Sequence, residues 1–128
     1  MMGTLTELAI RFAAEERPAS NLLNIPELVA QAAAATRMYA GYAPLRSHAG
    51  LEPTPAITGD TEISVSEWAV IRPLFLLYVE RETAPQLEAS RMFGVESFGR
   101  SSGEVAADIQ ALEQDMPRRA FVQPIITV

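Results

Sequence analysis

Apolar side chains recur at three- and four-residue spacing in several separate stretches, and many of the prolines and glycines fall between them. Leu5, Leu8, Ala9, Phe12 and Ala13 fall on one face and predict an amphipathic helix from Thr4 to about Glu16. Thr4-Leu-Thr-Glu7 reads as its capping box, and Pro18 as its stop. Asn24-Ile-Pro-Glu27 opens a second helix that runs to about Tyr39, with Gly41 and Pro44 marking its end. Its interior, Ala30 and Ala32 to Ala35, combines high helix propensity with little bulk, so a neighbouring backbone can approach closely.

From Ala43 to Asp60 the helical period is lost among Pro44, Gly50, Pro53, Pro55 and Gly59, which predicts a long loop over 43–60. Glu62-Ile-Ser-Val-Ser66 alternates, enough for one short extended piece and too little for a sheet. Ser64-Val-Ser-Glu67 then caps the most apolar segment, where Trp68, Ile71, Phe75, Leu76 and Val79 keep core spacing and Leu74, Leu77 and Tyr78 widen the apolar surface. Pro73 is expected to kink this central helix. Pro85 is expected to begin a separate piece, Gln86 to Phe93, closed by Gly94. Ser101-Ser-Gly-Glu104 caps a last helix, with Val105, Ile109, Leu112 and Met116 as a narrow stripe before Pro117. The β-branched and apolar remainder, with Pro124 against helix, reads as an extended tail. The pattern therefore predicts an all-α fold: a small bundle of four to five helices over 1–116 with a long loop, and an extended C-terminal arm over 117–128.

At 128 residues the chain has room for one modest domain, and 48% apolar with 20% charged residues is the composition of a folding chain. Its apolar runs are far too short to span a membrane, so no membrane association is expected. The N-terminus lacks a basic region ahead of an apolar core, and a cytoplasmic compartment is the expectation. Cysteine is absent, which excludes disulfides, thiolate metal sites and cysteine nucleophiles; His48, the single histidine, cannot by itself complete a two-histidine metal site. The formal charge of −6 argues against a dedicated nucleic-acid binder. All ten cations are Arg, which fits either G+C-rich codon usage or a preference for guanidinium groups at protein interfaces.

No catalytic constellation emerges. His48 lies in the Pro/Gly loop and reads as an exposed loop histidine. Glu80/Glu82 and Asp60/Glu62 are carboxylate pairs beside an Arg or a solvated turn, and read as surface charge. Gly59-Asp60-Thr61-Glu62 lacks the ligand alternation of a calcium loop, and no phosphate-cradling glycine pattern or nucleophile elbow occurs. No cofactor is expected. Trp68, Phe75 and Tyr78 read as packed core more readily than as a ligand-binding stripe. The arm is different, because Phe121, Val122, Ile125, Ile126 and Val128 place five apolar side chains outside any helical pattern. Such a tail either packs on its own domain or docks on another chain by strand addition or groove insertion; on the second reading, with Arg118 and Arg119, these residues form the candidate partner-binding set.

The segment Ser66-Glu-Trp-Ala-Val-Ile-Arg-Pro-Leu-Phe-Leu-Leu-Tyr-Val-Glu-Arg81, with Leu-Glu-Ala-Ser-Arg91 and Phe98-Gly-Arg100, resembles the head-to-tail connectors of contractile-tailed bacteriophages. The resemblance covers roughly Ile63 to Val128. It implies a non-enzymatic virion structural protein that forms a homo-oligomeric ring, twelve copies under the portal. The arm would reach a neighbour or the portal, tail or collar proteins would lie beyond, and DNA would pass through the channel without specific binding. The implied location is the neck of the virion, with the host cytoplasm as the site of assembly. A collar or head decoration protein matches the same description. A ring subunit needs two different surfaces that meet head to tail, and the Ala-rich helix and the arm are the expected pair. The rival readings are a small cytoplasmic adaptor or regulator that binds a partner helix, and an enzyme acting through carboxylates.

Overall fold

Four helices dominate the computed structural model, which describes residues 2–16, 23–92 and 101–121, and each opens on a side chain that satisfies its first amides. Strand β1 (Met2–Thr4) leads into α1 (Leu5–Arg11), where the Thr4 hydroxyl accepts from the Glu7 amide while the Glu7 carboxylate accepts from the Thr4 amide. The expected first helix then loosens into a π-helical turn over Phe12–Glu16. Asn24 and Glu27 form the same reciprocal box at α2 (Ile25–Ala40). Strand β2 (Glu62–Ser64) runs into α3 (Val65–Met92), capped by Ser64 and Glu67, and the Ser101 hydroxyl accepts from Glu104 at α4 (Ser102–Phe121).

Helices α2, α3 and α4 pack on one another, and α1 packs on α2. The buried alanines explain how α2 serves three neighbours: Ala32, Ala33 and Ala35 are all within the core, and the buried Thr36 hydroxyl donates back to the Ala32 carbonyl at 2.8 Å. The Ala-rich face is therefore spent inside the subunit and is not the ring surface expected from the sequence. Phe75 stands at the centre of the core, edge-on to Phe12 with ring centroids 5.2 Å apart and tilted against Trp68 at 5.4 Å. The expectation of a packed core at Phe75 and Tyr78 is met, with Trp68 only half-buried.

Three local expectations change. The alternating segment at Glu62 does form a sheet, because Met2–Thr4 supplies the partner: the strands are antiparallel, with Met2 opposite Ser64 and Thr4 opposite Glu62. Pro85 does not start a new helix; α3 passes through both Pro73 and Pro85. Interior proline costs about 3 kcal/mol of helix stability, and here buried neighbours, Leu74 and Phe75 just after one proline and Thr83 and Ala84 just before the other, hold the helix in place. The expected helix end at Pro117 moves to Phe121. Met116 and Ala120 are both buried, so packing on one face carries the backbone past the proline, and Asp115 accepts from Arg118 and Arg119 across it.

The long loop is irregular as expected, broken by a 3₁₀ turn over Arg46–His48. Gly50 follows with φ of 75°, the left-handed region that suits glycine. The loop is fastened at both ends. Near its start the Arg46 amide donates to the Glu67 carboxylate at 3.0 Å, and near its end the Gly59 carbonyl accepts from the amide and hydroxyl of Thr6, each at 2.9 Å. A Cβ on Gly59 would stand 2.5 Å from the Thr6 hydroxyl oxygen, so the loop approaches α1 this closely only as glycine.

Candidate partner-binding site

Of the seven residues in the candidate set, Arg118, Arg119 and Phe121 are in the last turns of α4, and Val122, Ile125, Ile126 and Val128 lie outside the described residues. The helix ends with its two cations in the last turn, where they complement the partial negative charge of the carbonyls. Both are also engaged by Asp115: Arg118 donates through Nε at 2.9 Å and Nη2 at 3.0 Å, and Arg119 through Nε at 2.7 Å. The hydrogen bonds from Arg118 and then Arg119 hold the Asp115 carboxyl down at about 2, and the Arg118 guanidinium is correspondingly raised. This triad fixes the end of α4 on its solvent side. Phe121, one residue beyond the buried Ala120, is 86% exposed.

The other chemical candidates are dispersed. His48 is half-buried at the end of the 3₁₀ turn, beside an open hollow of about 370 Å³ lined by Tyr42, Pro44, Leu45, Thr54, Pro55 and Ile57 among others. Asp60 and Glu62 are exposed, and the Asp60 backbone amide is taken by the Thr58 hydroxyl in a local turn. Glu82 is exposed and pairs with the adjacent Arg81 at 3.6 Å. No three His, Asp or Glu side chains gather into a metal cage among the described residues. None of the described helices is long and apolar enough to cross a membrane.

Two polar devices escaped the sequence reading. Glu67 is 1% exposed, yet both its oxygens are satisfied by backbone amides, Oε1 by Ser64 at 3.0 Å and Oε2 by Arg46 at 3.0 Å. One carboxylate thus caps α3 and anchors the loop; burial, with the nearby Glu67 charge adding, raises the Tyr39 hydroxyl above its ordinary range. The capping motif marked Glu67 as a helix N3 residue, but nothing local in the sequence tied it to Arg46. The second device is the Tyr78 hydroxyl, which donates to Glu113 on α4 while Arg81 lies over the Tyr78 ring at 4.5 Å. Burial first, then Glu113, pushes this phenol well above its ordinary value. The apolar spacing of α3 hid a polar tip that joins two helices.

The α4 end thus presents an exposed Phe121 beside two arginines that are tied to Asp115. Searches against protein-family models, curated proteins and solved structures returned no match to this chain.

Proposed function

We propose that the chain is a non-enzymatic assembly subunit, a ring-forming head-to-tail connector that docks between the portal and the tail or collar of a bacteriophage particle and leaves a channel for DNA. The observation that carries the reading is Phe121. A free helical subunit gains nothing from an aromatic ring 86% in water, whereas burying it against a partner is worth roughly 1.5 to 3 kcal/mol before ordering costs. The chain after it continues with Val122, Ile125, Ile126 and Val128, more apolar surface of the same kind. The helical bundle and the long, fastened loop agree with the subunit form that the sequence resemblance implies, twelve copies in the neck of the virion after assembly in the host cytoplasm. Mechanism in this reading is contact and exclusion: helices give a rigid body, and the arm gives reach.

The test is incorporation. Purified full chain mixed with portal rings, imaged by negative stain, is expected to add a ring of density at one end of the portal. A monomer that leaves the portal unchanged overturns the reading.

A further inference from the structure

We draw no further inference here: the strongest candidate, the open hollow of about 370 Å³ that Tyr42 and His48 form with Pro55 and Ile57 of the returning loop, carries none because nothing in the structure shows what fills or covers it.

Discussion

Glu67 shows how much one side chain holds in this protein. Its buried carboxylate is the acceptor for two backbone amides on different segments, Ser64 and Arg46. Glu67→Ala leaves both donors without that acceptor, at a cost of roughly 1 to 3 kcal/mol for each that stays buried. Hydrogen exchange is expected to show the Arg46 amide losing protection first, since the loop is held there; unchanged protection at Arg46 contradicts the anchoring role. Phe75 makes the complementary case for the apolar core, 1% exposed between Phe12 and Trp68. Phe75→Ala should cost about 3 to 5 kcal/mol, a large share of the roughly 5 to 15 kcal/mol of a small domain. Near-wild-type melting of that variant contradicts its place in the core. Asp115 contributes to the acid limit. Its folded carboxyl is held at about 2, below the ordinary carboxylate value, so as pH falls the unfolded chain takes up the proton first. The stability it gives is whole above about pH 4 and is lost as pH falls through about 2; Glu7, lowered by its bonds with Thr4, acts in the same direction. Tyr78 sets an alkaline limit by the opposite sign, since its raised phenol contributes stability that is lost as pH climbs past the ordinary tyrosine range. Melting temperature against pH is expected to fall less steeply in acid for Asp115→Asn than for wild type, and an identical acid limb contradicts the assignment.

At the scale of elements, what was legible in the sequence is what short-range chemistry decides. The polar starts of α1, α2, α3 and α4 were readable because a cap and its N3 partner are three residues apart. The ends were harder. Pro85 and Pro117 carry a local penalty against helix, and both helices run on past them where their neighbours are buried, Thr83 and Ala84 in one case and Met116 and Ala120 in the other, in helices that pack on one another. The ribbon was missed for the same reason: Glu62–Ser64 finds its partner at Met2–Thr4, and no local pattern announces a pairing across 60 residues. The candidate site was legible as a composition of apolar and arginine residues after Met116, but not as a helix end, because the helix persists through Pro117. If packing carries α4 past that proline, Pro117→Ala is expected to raise stability by up to about 3 kcal/mol without moving the helix end; a lower melting temperature in the variant contradicts that account.

At the scale of the whole molecule, the net charge of −6 and the state of the arginines bear on the proposed conduit role. Arg72 is paired with Glu16, Arg118 and Arg119 with Asp115, and Arg81 lies over Tyr78 beside Glu82. A conduit for DNA must not grip it, and a net charge of −6 repels phosphate on average, while these four paired cations are less free to displace its counterions. Duplex DNA is therefore expected to show no appreciable affinity at physiological salt and only weak, sequence-independent binding at low salt; tight or sequence-selective binding favours a regulator instead. The central claim is that the residues from Phe121 onward carry assembly while the helical bundle carries the fold. The most direct measurement compares the full chain with a chain ending at Ala120, by melting temperature and by binding to portal rings. The account predicts the same helical content and melting for both, with portal binding lost in the shorter chain. A shorter chain that unfolds, or that binds the portal as the full chain does, contradicts it.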